Sequence, residues 1–331
     1  MARRNITDLG IAPDGKIFQS IRIGAGGLTA RILTFGAALQ ELRLGGHAAP
    51  VVLGYAEPEA YFDNPGYLGA IVGRVANRIA DGRFVLDGKT HQIDRNENGV
   101  QSLHGGRAGT SARSWQVLEA GDDHVTLGLT LKDGDMGFPG HIDLRCRYST
   151  RGSTLTILLT GRSEALTYCN LASHAYYNLT GAPDISDHKL CVNAETYLPV
   201  DDRQIPTGSP APVADTPFDF RRARPVADPV DHNFCRAPSR TALAPAATLE
   251  AGGLRMTLET TEPGLQVYDG AFLGASKTKG LRGDPYGPHA GIALEPQAWP
   301  DAPNQSWAAQ ALLRPGEPWR SETRLAFTRA E

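Results

Sequence analysis

The sequence has no excess of charge of either sign. Its 331 residues carry 33 Lys+Arg against 36 Asp+Glu, a formal net charge of −3. Nucleic-acid binders usually concentrate basic residues, and anionic bilayers recruit polybasic segments, so neither class is indicated. No apolar run approaches the roughly 18–20 residues of a bilayer span. The opening MARRNITDLGIAPDG puts Asn5, Thr7 and Asp8 where a signal peptide needs apolar residues, so we expect an unexported, cytoplasmic chain. Cysteine is scarce: Cys146, Cys169, Cys191 and Cys235 form no CxxC pair, fit no zinc template and are expected to stay reduced. In such a compartment the sequons at Asn5, Asn178 and Asn304 carry no weight. There is no GxxxxGK[ST], HExxH or GxSxG, which leaves phosphate-loop, zincin and nucleophile-elbow chemistry without support. Gly24-Ala-Gly-Gly-Leu-Thr29 starts like a dinucleotide fingerprint, but Thr29 replaces the third glycine and a strand follows.

What the chain does have is punctuation. With 37 glycines and 23 prolines it suits many short strands joined by turns. Ile17–Ile23 and Leu28–Thr34 bracket a glycine-rich turn, and Gly82–Ile93 turns at Asp87-Gly88; both read as hairpins. His124–Leu131, Ser153–Thr160, Leu254–Thr260 and Arg324–Thr328 alternate in the same manner. Helical patterning is confined to a turn at Glu57–Asp63 and to the alanine-rich Ala242–Leu249, which Pro245 interrupts. No repeat of 20–50 residues is present, so a propeller or solenoid is not expected. The reading is all-β, with residues 1–331 as one domain and Ile205–Pro217 as a long surface loop.

Polar residues stand in apolar or glycine-rich settings at Asn77-Arg78, His104-Gly-Gly, His174 in an aromatic segment, Asp231-His232, Gln266 at a strand's close and Glu295 after Ile-Ala-Leu. Each has a plain structural reading. A strand histidine is commonly a hydrogen-bonded core residue, Glu295 could face solvent, and Arg78 with Asp231 could be an ordinary ion pair.

Together, however, these residues resemble the aldose 1-epimerase (galactose mutarotase) family. The resemblance lies in Gly73-Arg-Val-Ala-Asn77-Arg78-Ile79, Asn98–Gly106 with His104, His174-Ala-Tyr-Tyr-Asn-Leu179, Tyr197-Leu-Pro-Val-Asp201, Asp231-His232, Gln266-Val-Tyr-Asp-Gly270 and Leu294-Glu295-Pro-Gln297. They fall in family order from about residue 17 to the C-terminus. Ala172-Ser173 before His174, Asn233 after His232 and Pro296 after Glu295 depart from common family residues without removing a catalytic group. The resemblance implies a large antiparallel β-supersandwich, Glu295 as general base and His174 as general acid. It also implies a sugar-binding set of Asn77, Arg78, His104, Asp231 and Gln266. It implies no cofactor and no metal, a monosaccharide as the partner, and a monomer or homodimer. Tyr176, Tyr177 and Trp299 are candidate platforms for the sugar. An anionic neighbour is expected to raise the His174 pKa modestly. Two rivals remain: an epimerase of hexose 6-phosphates served by Arg221, Arg222 and Arg224, and a non-catalytic sugar-binding protein of the same fold. A glycoside hydrolase is weaker still, since it would ordinarily use two carboxylates.

Overall fold

Alternation of buried and outward-facing residues builds the long strands. In Thr154–Ser163, Leu155, Ile157 and Leu159 are buried while the intervening residues face outward. That period of two leaves one face of the sheet able to pack. The computed structural model describes residues 5–227, 229–274 and 276–330. Its largest sheet has nine strands in the order Gln116–Ala120, His124–Leu131, Ile142–Arg151, Thr154–Ser163, Pro318–Arg329, Leu254–Thr260, Ala244–Ala251, Lys189–Val192 and Arg224–Pro225. All its pairings are antiparallel.

Two further sheets cover it. The N-terminal meander runs Ile6–Ile11, Ile17–Ala25, Leu28–Leu33 and Leu39–Leu44. A six-stranded sheet runs Tyr176–Tyr177, Ile292–Gln297, Gly264–Tyr268, Asp231–Cys235, Thr196–Tyr197 and Ala211–Pro212. One apolar cluster draws on all three: Ile21 and Ile23 from the meander, Leu127 and Ile157 from the large sheet, Leu265, Val267 and Leu294 from the six-stranded sheet. Burying each such side chain contributes about 1.5–3 kcal/mol before entropy is set against it. The architecture is the all-β sandwich expected from the sequence.

Local chemistry explains the turns. Asp87 and Gly88 both adopt positive φ, 49° and 71°, as a two-residue hairpin turn of the primed type demands. The predicted turn at Glu57–Asp63 is a short 3₁₀ helix, Pro58–Phe62. Alanine-rich Ala242–Leu249 contributes to the strand Ala244–Ala251, whose register shifts between Pro245 and Ala247. Pro245 cannot donate to the ladder, and the bulge accommodates it. Within the expected surface loop, Ala211–Pro212 makes an edge pairing with Thr196–Tyr197. No described helix is long and apolar enough to cross a membrane.

Candidate active site

The six-stranded sheet positions the site through its register. Asn233 lies opposite Gln266, and Gln266 opposite Glu295. These three face one way with Tyr268 and Tyr176, whereas Leu265, Val267, Leu294 and Tyr177 face the apolar core. The sheet is therefore apolar behind and polar in front, and the polar side forms the wall of a cleft of about 720 Å³.

All seven sequence-predicted residues, Asn77, Arg78, His104, His174, Asp231, Gln266 and Glu295, line that one cleft. Glu295 is not at a solvent-facing strand end: it is 2% exposed. His174 sits on the link between Ala172–Ser173 and Tyr176–Tyr177 rather than within a strand. Its backbone N–H donates to Ala70 and its carbonyl accepts from Gly69, which ties the link to the opposite wall. Its Nε2 stands 3.6 Å from Glu295 Oε1. The pair joins residues 121 positions apart in the chain.

His104 completes the floor. It sits at φ 53°, and Asn77 at φ 64°. The Asn77 backbone N–H donates to His104 Nδ1 at 3.1 Å, so the neutral ring carries its proton on Nε2 and offers it as a donor. Gly105 follows at φ 85°, and a Cβ there would collide with the Gly73 carbonyl, so the glycine is required. Asn77 Oδ1 accepts the Arg78 N–H at 2.8 Å.

The principal partner of Arg78 is Glu97, not Asp231. Arg78 Nε and Nη2 donate to the Glu97 carboxylate at 3.0–3.2 Å, while Nη1 reaches Asp231 Oδ2 only at 3.7 Å. Gln101 Nε2 also donates to Glu97 at 2.5 Å. Asp231 in turn accepts from Gln266 Nε2 at 2.6 Å. The guanidinium is thus oriented by a planar two-point contact, which fixes its remaining donors.

Of the three aromatic candidates, Tyr176 lines the cleft. Tyr177 is one residue along the same strand, so it enters the core instead. Trp299 donates Nε1 to the Pro263 carbonyl and packs edge-on to Trp307, behind the cleft lining. Sequence reading missed Tyr67, whose ring centroid lies 4.7 Å from that of His104 and 5.6 Å from that of His174. It also missed Glu97, Tyr268 and Asp269. The Asn64-Pro-Gly-Tyr67 turn and the Asn96-Glu-Asn-Gly99 turn were the available signals, but a turn does not say which cleft it faces.

Burial dominates the protonation of the pair. It pushes Glu295 well above the usual carboxylate range, with the Asp231 charge adding to the effect and Arg78 opposing it. It pushes His174 down to about 4, which corrects the expected upward shift: desolvation outweighs the anionic neighbour. His104 is also held well below its ordinary value, by burial first and then by His174 and Arg78. Desolvation at the cleft wall raises Asp231 against the pull of Arg78. The His174–Glu295 pair therefore keeps one proton between them across neutral pH.

Unfolded, the same two groups hold two protons below pH ~4.3, one between ~4.3 and ~6.5, and none above. The folded pair binds fewer protons than the unfolded chain in acid and more at alkaline pH, so its contribution to stability falls on both sides of that window. Gln at position 295 cannot ionise. The melting-temperature advantage of Glu295→Gln over the parent is expected to grow as pH rises from 5 through neutrality, and calorimetry at several pH values checks this. A difference independent of pH would show that the carboxyl is not displaced upward.

Donor atoms of His104, His174 and Glu295 all lie within 4.8 Å of one another. A cation held there would occupy the atoms that could otherwise move protons. A buried imidazole–carboxylate pair at the floor of an open cleft, flanked by amides, carboxylates and a guanidinium, suits acid–base chemistry on a small polar molecule.

The aldose 1-epimerase family model matches residues 19–326. The rat protein named galactose mutarotase is 38% identical over 330 residues, covering 95% of each chain. The Escherichia coli K12 aldose 1-epimerase is 34% identical over 339 residues, covering 96% of this chain and 97% of its own. A solved aldose epimerase homologue from C. elegans superposes with a TM-score of 0.89 at 28% identity, over 95% of this chain and all of that one. A galactose 1-epimerase from Lactobacillus acidophilus NCFM gives a TM-score of 0.86 at 28% identity, over 99% of both. The chain belongs to the aldose 1-epimerase family and is an isomerase.

Proposed function

We propose that this protein interconverts the α and β anomers of a free aldose such as galactose or glucose, with residues 1–331 acting as one domain. Mutarotation opens the pyranose to the aldehyde, rotates the C1–C2 bond and closes the ring on the other face. Opening needs the O1–H proton removed and a proton delivered to O5 as the C1–O5 bond breaks. Glu295 takes the first and His174 gives the second, each transfer contributing about 10²–10⁴-fold. Closure reverses the roles: His174 recovers the O5 proton, and Glu295 returns its own to O1.

The observation that carries this reading is the 3.6 Å approach of His174 Nε2 to Glu295 Oε1 at the cleft floor. A shared proton suits it. The tautomer with ionised Glu295 and protonated His174 complements the closed ring, and the neutral pair complements the open aldehyde. Each half-reaction moves the pair from one tautomer to the other with no net proton exchanged with water. His104 and Arg78 donate to oxygens gaining charge, Asp231 and Gln266 engage peripheral hydroxyls, and Asn77 holds Arg78 and His104 in place. A protein that only binds sugar has no need of this paired acid and base.

Charge favours a neutral sugar. Asp202, Asp231, Asp269 and Glu295 line the cleft, and Arg78 is the sole Lys or Arg among the described lining residues. Arg78 is already committed to Glu97. None of the three arginines proposed for a phosphate lines the cleft: Arg221 pairs with Asp219 and Glu195, Arg224 lies over the Phe220 ring, and Arg222 is exposed elsewhere. Polarimetry on freshly dissolved α-galactose or α-glucose is expected to show strong acceleration, with glucose 6-phosphate at least about tenfold poorer in kcat/KM. A preference for the phosphorylated sugar would overturn the assignment. A cytoplasmic location is part of this proposal, supported by four cysteines that are all unpaired.

A further inference from the structure

Behind the catalytic carboxylate lies a patch of polar atoms that the mechanism above does not use. Gln297 shares the Glu295 strand and face, and is fully buried. Neither of its amide atoms has a hydrogen-bond partner, so turning the amide over changes nothing. Asn233 Oδ1, Gln266 Oε1 and the inner oxygen of Glu295, Oε2, are buried and unpartnered as well. Buried polar groups in folded proteins are almost always satisfied, and each exception calls for a physical reason.

The sheet register brings them together. Asn233, Gln266 and Glu295 form one cross-strand row, and Cys235, Gly264 and Gln297 form the next row on the same face. The centre of that second row has no side chain. A Cβ on Gly264 would strike Asn233 Oδ1 and approach Trp299 Cδ1 to 2.9 Å. The Asn233 amide and the Trp299 ring fill the space directly over the glycine. Four oxygens, on Asn233, Gln266, Glu295 and Gln297, need hydrogens, and the Gln297 amide supplies two. One water has the other two, and buried water typically makes 2–4 such bonds among otherwise unsatisfied groups.

The geometry points to Gln297 and Asn233 as positioning residues that hold the inner carboxylate oxygen of Glu295 through a single buried water between the two rows. This rests on the reading of Glu295 as general base. Oε1 faces His174 and the sugar, while Oε2 is anchored from behind. The anchor orients the carboxylate and, by donating to it, favours its ionised form over the neutral acid. The other ionisable groups facing Glu295 are His174, His104, Asp231, Arg78 and the Tyr176 hydroxyl, with Tyr177 on the far side of the sheet.

Gln297→Met keeps the volume and removes both polar atoms. A hydrogen bond to a charged group is worth about 1.5–3 kcal/mol, so kcat is expected to fall about 10- to 100-fold. KM should stay within about threefold, because this residue is buried behind the cleft lining. The alkaline limb of the kcat/KM profile should move to higher pH, since Glu295 loses a donor to its ionised form. A merely structural role would lower the melting temperature and leave the pH profile in place. Unchanged kcat and pH profile in folded Gln297→Met, alongside an inactive Glu295→Gln, would overturn the anchor alone; an active Glu295→Gln would overturn the base as well. Should Gln297→Met not fold, a high-resolution crystal structure of the unaltered protein decides. An ordered water within about 3.2 Å of Glu295 Oε2 and the Gln297 amide supports the anchor, and its absence from clear density rejects it.

Discussion

In Glu295→Gln, kcat for mutarotation is expected to fall by about 10³-fold, within the 10²–10⁴ range that one positioned proton-transfer group supplies. The substitution keeps the shape of a side chain that is 2% exposed and leaves the cleft wall of Asp231, Gln266 and Arg78 in place. Sugar binding should therefore persist, with KM changed by no more than about threefold, and the loss should fall on the chemical step. The amide cannot accept the O1 proton, and neither neighbouring carboxylate, Asp231 or Asp269, is free to substitute for it. Asp231 is held by Gln266 and faced by Arg78, and Asp269 accepts backbone N–H groups of Val230 and Ala271. Melting at alkaline pH should rise at the same time, so the variant is more stable and nearly inactive. Polarimetry on fresh α-galactose, corrected for spontaneous mutarotation, makes the measurement. Rates within about threefold of the parent would remove Glu295 from the mechanism.

Much of this fold is legible along the chain because its core strands obey a period of two. His124–Leu131 and Leu254–Thr260 have the same limits in the sequence reading and in the structure. What alternation cannot carry is the order of strands. Pro318–Arg329 ends between Thr154–Ser163 and Leu254–Thr260, a placement decided by long-range packing. Short strands are equally opaque: Ala172–Ser173 and Tyr176–Tyr177 are too brief to show periodicity, and the kink between them is what aims His174 at Glu295. The site residues became recognisable through the family pattern, in which each polar residue has a fixed neighbourhood. Partners outside that pattern stayed hidden. Glu97 holds Arg78 from a turn 19 residues away, and nothing in Asn-Glu-Asn-Gly distinguishes it from any surface turn. The His174 shift was misjudged for a related reason. Sequence shows that a carboxylate can be near, but not that both groups are stripped of water, and here desolvation decides the sign.

The second large effect separates a pair that works as a unit from two independent contributors. His174→Asn removes the group proposed to protonate O5 and is expected to lower kcat by about 10²–10⁴-fold. If the two transfers were independent, Glu295→Gln/His174→Asn would lose the product of both factors. The structure argues otherwise. With one proton shared over 3.6 Å, removal of either side chain abolishes the exchange between the two tautomers that carry ring opening and closure. The remaining partner, buried and pushed toward its neutral form, cannot perform both transfers. The double variant should therefore be no more than about tenfold slower than the worse single variant, as for other catalytic groups that act together. What acceleration survives would come from His104 and Arg78 holding the ring. A fully multiplicative loss would mean that His174 and Glu295 act in separate steps, each with its own route for protons to water.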